Sequence, residues 1–298
     1  MERIERAYYE SRFEVAFLRA KGNAFQTLFN ELMGKAYKED FMPCRPWGSQ
    51  GDQKNDGFLK SERRLFQVYA PNEMTENKGR GKITEDFEGA KSFWRAHFDK
   101  WTFVLNARDG IPPYVQKLKL ELENSNPGIK LDPWGWEELL AVFNKLSRRD
   151  LESWFGYAPN AQAKSNMGFD DLRVVLEAIR TERVDSAAPV REVPARKIEA
   201  NQLSDSIAIL LKEGMTKAAL LDDFFQMWHD PTFGERIAAA FRERYEELRE
   251  DLTPNEIFLE LQNWIGGSVR GTPEHEMAIF TVIAYYFESC DIYEEPRN

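Results

Sequence analysis

The amino-acid sequence predicts an α/β domain, built on a mixed sheet flanked by helices, followed by an all-α C-terminal domain. Between residues 22 and 146, short apolar segments typical of strands alternate with segments of helical periodicity. After residue 200, every periodic segment has the helical repeat. The stretch from Arg183 to Ala200 has two prolines and no regular apolar period, which is typical of a linker. We therefore predict an α/β domain with trailing helices over 1–183, a linker over 184–200 and a helical domain over 201–298.

The composition of the 298-residue chain is typical of a soluble globular protein, with 42% hydrophobic and 30% charged residues. Its longest apolar run, Met277 to Phe287, is shorter than the roughly 20 residues that a membrane-spanning helix needs. The N-terminal residues contain no apolar signal core. We therefore expect a cytoplasmic protein without a membrane partner. The cysteines, Cys44 and Cys290, and the three histidines have no metal-ligand spacing.

The negative charge of the chain belongs to its last third. Residues 1–200 carry 32 Lys and Arg and 31 Asp and Glu, whereas residues 201–298 carry 8 and 19. Because phosphate is repelled by an acidic surface, any nucleic-acid interface is expected in the first two thirds of the chain. The acidic tail suits a basic protein partner, or it serves solubility alone.

The elements of the first domain follow from local patterns. A helix is predicted from Asn23, a favourable N-cap, through Ala36, because its apolar residues recur at helical spacing. The polar, glycine-containing residues 72–82 predict a loop. The remaining segments predict strands at 40–44, 65–69, 101–105 and 129–131, and helices at 86–98, 114–122 and 136–146.

The C-terminal domain contains two clear helix starts. Thr253, Pro254 and Glu256 form a capping box with proline at the first helical position, and Thr272–Pro273 repeats this order. The helix that begins at Pro273 is apolar nearly all round between residues 278 and 287, so it must be covered on most sides. We interpret it as the central helix of a small bundle, or alternatively as a docking surface for another subunit.

The segment from residue 48 to residue 71 contains the residues that could form a catalytic or metal-binding site. Asp52 and Asp56 lie in a glycine-flanked loop, and the following strand presents Gln67 and Tyr69 on one face because strand side chains alternate. Mg²⁺ prefers oxygen ligands and binds through one or two carboxylates together with waters and phosphates. We therefore predict a divalent-metal site formed by Asp56, Asp52 and Gln67, on the condition that the loop and the strand lie side by side.

The order of a helix, a GDxxxDG loop and a strand with two polar residues spaced by two resembles the PD-(D/E)xK restriction-endonuclease fold, especially its Mrr-like branch. The resemblance covers residues 22–146, with FVLNA and IKLDPWGWEEL at the late strands and closing helix. It implies a Mg²⁺-dependent nuclease in which Asp56 binds the metal. The family's (E/Q) position falls on Gln67, its catalytic lysine on Tyr69, and its first-helix glutamate on Gln26.

Two of these four positions depart from the active pattern. Tyr69 is neutral at pH 7 and does not replace a cationic lysine, and Gln26 offers a neutral carbonyl where the family has a carboxylate. A lysine from elsewhere is therefore needed for catalysis. Lys54, between the two aspartates, is our catalytic candidate with Asp56 and Gln67. The other lysines that the sequence leaves open are Lys60, Lys82 and Lys91.

A second resemblance involves the whole chain. A GDxxNDGF…FQVYAP domain followed by a helical tail that ends in the run Ala284 to Glu294 resembles the effector subunit of prokaryotic ABC-three-component systems, which act in anti-phage conflict. The resemblance implies that residues 201–298 couple the effector to a middle subunit and an SMC-like ABC ATPase. The chain has no phosphate loop with Gly-Lys-Ser/Thr, so it is not the ATPase itself.

Three functions remain open at this point. The first is a Mg²⁺-dependent DNA endonuclease, and the second is a degenerate nuclease domain that binds nucleic acid, with Arg63 and Arg64 on the phosphate backbone. The third is a non-catalytic adaptor that acts only through residues 201–298 and a protein partner.

Overall fold

The computed structural model describes residues 1–44, 53–179, 197–266, 271–289 and 292–294. The chain forms two compact units. The sheet unit comprises Ala16–Asp150, and the helical unit comprises Met1–Val15 with Leu151–Asn298. The division falls inside two helices, α1 (Arg3–Arg19) and α6 (Arg148–Phe155).

This division differs from the boundary expected at residue 183. The first residues of α1 belong to the helical unit because their aromatic side chains pack there, with the Tyr8 ring 6.1 Å from the Phe280 ring. The helices that follow residue 150 also belong to it. The expected linker differs as well. Residues 197–200 form a short helix whose Lys197 is buried, and residues 184–196 lie outside the described residues.

The sheet unit contains five strands in the order β1-β2-β3-β4-β5. The pairs β1–β2 and β2–β3 are antiparallel, whereas β3–β4 and β4–β5 are parallel. The predicted mixed sheet is therefore confirmed. Its elements are α2 Gly22–Tyr37, a 3-10 turn Lys38–Asp40, β1 Phe41–Pro43, β2 Gly57–Leu59, β3 Arg64–Tyr69, α3 Glu76–Trp94, β4 Lys100–Leu105, α4 Pro113–Ser125, β5 Lys130–Trp134 and α5 Trp136–Phe143.

Helices cover both faces of this sheet. On one face, α2 packs its buried Phe29 against Phe66 of β3, with ring centroids 5.3 Å apart. On the other face, Leu65 of β3 and the apolar side of α3 and α4 form one buried cluster. Because strand side chains alternate, Gln67 and Tyr69 lie on the same face as Leu65, under α3.

The prediction of a loop over residues 72–82 is wrong, because α3 begins at Glu76. The helix can contain these polar residues because most of their side chains are exposed to solvent. Gly79 has a packing reason, because a Cβ atom there would lie 2.4 Å from the Tyr114 hydroxyl oxygen. Asn23 is also not the N-cap of α2, because the helix begins one residue earlier, at Gly22.

The helical unit is organised around its last helix, α14. This helix buries every residue from Glu276 to Ala284 and packs against α7, α8, α10 and α13, as expected for the centre of a bundle. The Thr272 hydroxyl caps it by accepting a hydrogen bond from the His275 amide. The helices after α6 are α7 Ala161–Asn166, α8 Phe169–Ala178, α9 Lys197–Ala200, α10 Asp205–Met215, α11 Ala219–Met227, α12 Phe233–Arg249, α13 Pro254–Gly266 and α14 Pro273–Glu288.

The length and hydropathy of α14 raise the question of a membrane span. Among the residues described, no helix combines the length and the apolar character that crossing a bilayer requires.

Candidate active site where β2, β3 and α3 meet

Asp56 lies directly before β2, beside β3. Its amide donates a hydrogen bond to the Phe66 carbonyl at 2.9 Å, and its carboxylate oxygen Oδ2 accepts one from the Val68 amide at 2.7 Å. The other oxygen, Oδ1, accepts a hydrogen bond from the Gln26 side-chain amide. The acidic loop and the Gln/Tyr strand therefore meet side by side, which is the geometry that the predicted site requires.

Gln26 explains how this carboxylate is held inside the protein. Its neighbour Phe25 is fully buried in α2, which fixes the helix against the sheet and directs Gln26 toward the loop. A carboxylate at position 26 would repel Asp56, whereas an amide donates a hydrogen bond to it. The departure from the family pattern therefore stabilises the Asp56 carboxylate by a neutral donor.

Gln67 is almost fully buried, with 5% of its surface exposed. Its side-chain oxygen Oε1 is buried and has no hydrogen-bond partner among the described residues. A buried amide oxygen without a donor costs about 1–3 kcal/mol of stability. This unpartnered oxygen stands on the strand that borders Asp56, so the two residues offer hard oxygen atoms of the kind that Mg²⁺ prefers.

Tyr69 occupies the position where the resemblance expects a lysine. Its ring is partly buried and lies 5.9 Å from the Phe103 ring, within the apolar cluster under α3 and α4. Tyr114 approaches from α4, and burial, with the nearby Tyr69 and Glu76, raises the pKa of its hydroxyl. This corner of the site is therefore aromatic.

Two lysines meet at a buried carboxylate of α3. Asp86, in the middle of α3, is fully buried, and its oxygen Oδ1 accepts hydrogen bonds from Lys54 at 2.9 Å and from Lys82 at 2.8 Å. Its second oxygen, Oδ2, is buried without a hydrogen-bond partner in the part of the chain that is described. Lys54 also donates to Glu85 at 2.7 Å. The bonds to Glu85 and Asp86 raise the pKa of Lys54, against the opposing effect of partial burial.

Sequence reasoning did not identify Asp86, although a signal for it exists. Ile83, Phe87 and Ala90 form the buried face of α3, and Asp86 falls on that face at helical spacing. A lone carboxylate on the apolar side of a helix requires a buried partner. The predicted helix began at Asp86 itself, so its place within a longer apolar face was not visible.

The other lysine candidates lie elsewhere or have other partners. Lys91 donates to Glu88 at 2.9 Å and to Asn126 at 2.7 Å, on a different part of α3, and Lys60 is an exposed residue of the turn after β2. The structure therefore brings together Lys54 and Lys82.

Arg63 and Arg64 are occupied by acidic residues. Arg64 is largely buried, and its guanidinium donates to Asp132 at 2.9 Å and to Glu62 at 3.1 Å. Arg63 donates to Asp99 at 2.6 Å. A phosphate contact by either arginine would have to replace these ion pairs, so the predicted nucleic-acid role of the two residues stays a prediction.

The predicted metal set is placed only in part. Gln67 lies on β3 and Asp56 lies directly before the neighbouring strand β2, whereas Asp52 lies outside the described residues. Within the described ranges, no group of three His, Cys, Asp or Glu side chains is arranged to hold a metal ion. The oxygen atoms of Asp56 and Gln67 nevertheless fit an ion that takes few protein ligands and completes its shell with water and phosphate.

The run Ala284 to Glu294, which carries the resemblance of the tail, is mostly buried in the helical unit. Lys197 donates hydrogen bonds to the carbonyls of Phe287 at 2.9 Å and Ile292 at 2.6 Å. The Asn201 side chain bonds to both the amide and the carbonyl of Glu294, each at 2.8 Å. The run therefore holds the unit together, and exposed apolar side chains are found at other positions: Tyr157, Phe169, Val174 and Met227.

Comparison with known protein families identifies the C-terminal part of the chain. Residues 170–294 match the family model of C-terminal domain 10 of the ABC-three component (ABC-3C) systems. The match confirms the predicted resemblance of the C-terminal part, and it begins in α8 rather than at residue 201. No curated protein and no solved structure matches the chain significantly. The restriction-endonuclease-like character of the sheet unit remains a prediction.

Proposed function

Because residues 170–294 match a C-terminal domain of ABC-three-component systems, we propose that the chain is the effector subunit of such a system in anti-phage defence. We further propose that its sheet unit is a restriction-endonuclease-like domain that cleaves DNA with the help of Mg²⁺. In this proposal the helical unit couples the nuclease to the middle subunit and the SMC-like ABC ATPase.

One observation carries the nuclease proposal. Asp56, directly before β2, accepts a hydrogen bond from the Val68 amide of β3, the strand that carries the unpartnered Gln67 oxygen. On the helix that covers the Gln67 face, a second buried carboxylate, Asp86, binds Lys54 and Lys82. Acidic oxygens next to lysine ammonium groups are the elements that phosphodiester hydrolysis needs. A purely structural role does not account for buried oxygen atoms without donors, since these oppose folding.

Each residue has a defined task in this proposal. Asp56 and Gln67 would hold Mg²⁺, which when bound would neutralise charge on the scissile phosphate and activate water. Gln26 keeps the Asp56 side chain oriented. Lys54 or Lys82 supplies the positive charge that stabilises negative charge developing on the phosphate, because a tyrosine side chain at position 69 has no cationic group.

The test is nicking of supercoiled plasmid by the full chain with Mg²⁺ or Mn²⁺, in the absence and presence of the other subunits of the system. Asp56→Asn keeps the shape of the side chain and removes its charge, and we expect it to lower the cleavage rate by about 100-fold or more. Asp109→Ala, at an exposed residue of the loop after β4, is the matched control and should cleave like the wild type. Cleavage that does not depend on Asp56 would refute the proposed site.

The proposed coupling role of the helical unit rests on its surface. Residues 201–298 carry 8 basic and 19 acidic residues, and α8 and α11 expose Val174 and Met227, the latter with 65% of its surface accessible. Exposed apolar side chains on an acidic unit suit a partner whose apolar contact is bordered by basic residues. The non-catalytic adaptor remains the alternative, in which this surface would be the whole function.

Coelution with the coexpressed middle and ATPase subunits tests the coupling. We expect the double substitution Val174→Glu and Met227→Glu to abolish coelution. Met42→Glu, which changes an equally exposed apolar residue of the sheet unit, should leave it intact. If coelution is normal in both variants, the α8–α11 surface is not the docking site. If the complex assembles and the chain shows neither Asp56-dependent cleavage nor salt-dependent binding to DNA, the adaptor function is correct.

A further inference from the structure

The loop that precedes β2 is fixed at each of its described residues. The Gln53 carbonyl accepts a hydrogen bond from the Trp94 indole at 3.1 Å, so the loop is attached to the end of α3. Asn55 turns the chain by accepting a hydrogen bond from the Gly57 amide at 2.9 Å. Lys54 is bound to α3 between these two points, and Asp56 to β3 after them.

The backbone of this loop adopts a conformation that is unfavourable for residues other than glycine. Gln53 and Lys54 have φ angles of 52° and 61°, both in the left-handed region. Two consecutive residues of this kind oppose folding and persist only where the surrounding structure compels them. In this loop, the strained turn determines the position of the Lys54 side chain, which it directs onto α3.

A glycine of α3 makes room for that side chain. A Cβ atom at Gly89 would lie 2.6 Å from Cγ of Lys54, which is too close for any real contact. The clash involves the part of the lysine near its backbone, where the side chain has little freedom to move away. Gly89 is therefore a slot for the Lys54 stem, and Asp86, one turn earlier on the helix, binds the ammonium group together with Glu85.

Lys82 is held in a simpler way. It reaches Asp86 from the same helix as an ordinary i,i+4 pair, at 2.8 Å, and requires neither a strained turn nor a glycine slot. Because both lysines bind the same oxygen of Asp86, Lys82 still neutralises this carboxylate when the Lys54 ammonium turns to a phosphate. The arrangement thus allows Lys54 to exchange partners without leaving a buried charge unpaired.

We propose that Lys54 is the cation of the candidate active site, and that Asp86 and Gly89 are positioning residues that hold it in place of the lysine missing at Tyr69. This inference rests on the proposed nuclease function and names the residues on which its phosphate chemistry depends.

The experiment uses two glycines of the same helix. Gly89→Ala displaces Lys54 without any change in charge, whereas Gly81→Ala is the matched control, because no atom lies within 4 Å of a Cβ there. With the full chain and plasmid DNA, we expect Gly89→Ala and Lys54→Ala each to lower kcat by about 100-fold with little change in KM. Gly81→Ala should cleave at the wild-type rate, and circular dichroism and thermal unfolding verify that all variants fold.

The double variant Gly89→Ala/Lys54→Ala separates positioning from general damage. If Gly89 acts through Lys54, the double variant cleaves no more slowly than Lys54→Ala alone. If the two losses multiply, Gly89 has only a structural role and the inference is overturned. A wild-type rate in Lys54→Ala together with a loss in Lys82→Ala would assign the charge to Lys82 and also overturn it.

Failure of the proposed function is recognised by a separate result. If cleavage occurs but Asp56→Asn cleaves normally, the proposed site is incorrect whatever Lys54 does. If the wild-type protein does not cleave, salt titrations of its binding to a DNA duplex decide the matter. Lys54→Ala and Gly89→Ala should each reduce the slope of log K against log salt by about 0.9, the loss of one phosphate contact, and Gly81→Ala should not. An unchanged slope, or no binding, overturns the inference.

Discussion

Buried polar side chains are treated differently in the two units. In the helical unit they bind main-chain atoms or each other, as Lys197 does with two carbonyls and Gln262 with Glu276 at 2.9 Å. In the sheet unit, buried acceptor oxygens of Asn30, Gln67 and Asp86 have no donor among the described residues. The buried atoms without a partner in the described part of the helical unit are arginine nitrogens alone.

This difference indicates which buried polar groups contribute to the stability of each unit. Satisfied buried groups determine a unique packing, and removing one of them leaves its partner without a hydrogen bond. Unsatisfied oxygens oppose folding, and proteins retain them where they have another use. The helical unit is therefore expected to lose stability when its buried contacts are changed, whereas the sheet unit is expected to tolerate changes at the candidate site and lose function.

The largest effect should come from the closest helix contact of the helical unit. A Cβ atom at Gly214 of α10 would lie 2.4 Å from the carbonyl oxygen of Phe280 in α14, so Gly214→Ala must separate two backbones. We expect it to lower the free energy of unfolding by about 3 kcal/mol, measured by urea denaturation. Gly34→Ala in α2 is the control in the sheet unit. It should raise the free energy of unfolding by about 0.5–1 kcal/mol, because no atom lies within 4 Å of a Cβ there. Equal midpoints for the two variants would contradict the comparison.

The second prediction concerns Lys197, a lysine with only 1% of its surface exposed. Lys197→Met keeps the length of the side chain and leaves the carbonyls of Phe287 and Ile292 without this donor. The expected loss is about 2–3 kcal/mol. Lys212→Met, at an exposed position of α10, should change the unfolding free energy by less than about 0.5 kcal/mol. A loss at position 212 as large as that at 197 would show that burial is not the cause.

The same substitution at two glutamines compares the units directly. Gln67→Met removes a buried oxygen that has no donor, so we expect stability to be unchanged or higher by up to about 1 kcal/mol, with loss of cleavage. Gln262→Met removes a hydrogen bond to the buried Glu276 and should destabilise the protein by about 1–2 kcal/mol. Destabilisation by Gln67→Met of similar size would mean that Gln67 is a structural residue and would weaken the site assignment.

The same difference explains what the sequence could predict. The apolar runs at 65–69 and 101–105 predicted the buried strands β3 and β4, and helix caps such as Thr272 predicted the ends of helices, because these signals are local. The contact of Asp56 with β3 was the condition on which the predicted metal site depended, and the hydrogen bond to the Val68 amide meets it. The position of Lys54 on α3 was not predictable, since it depends on a strained turn and on the missing Cβ of a glycine 35 residues away in sequence. The division inside α1 likewise depends on tertiary packing.

The smallest expected effect is a difference in pH dependence between two glutamates. Burial raises the pKa of Glu276 in the helical unit above its ordinary value of 4.5. In the sheet unit, burial opposes but does not outweigh the hydrogen bonds from Lys100 and Arg64, which lower the pKa of Glu62. A raised pKa means that the folded state holds the proton more tightly than the unfolded state, so the contribution of Glu276 is favourable below pH 4.5 and is lost as the pH rises. The contribution of Glu62 is present above its unfolded pKa and is lost as the pH falls.

The two Glu→Gln variants should therefore respond to pH with opposite sign. Relative to the wild type, Glu276→Gln should become more stable as the pH rises from 4 to 7, because the variant no longer buries a charge that the wild type acquires in that range. Glu62→Gln should become less stable over the same range, because it no longer forms the ion pairs with Arg64 and Lys100. Urea denaturation of the three proteins at a series of pH values measures both differences. If stability changes with pH in the same direction in both variants, the buried Glu276 carboxylate is stabilised by its partners as fully as the ion-paired Glu62. The difference between the two units would then be limited to their uncharged polar groups.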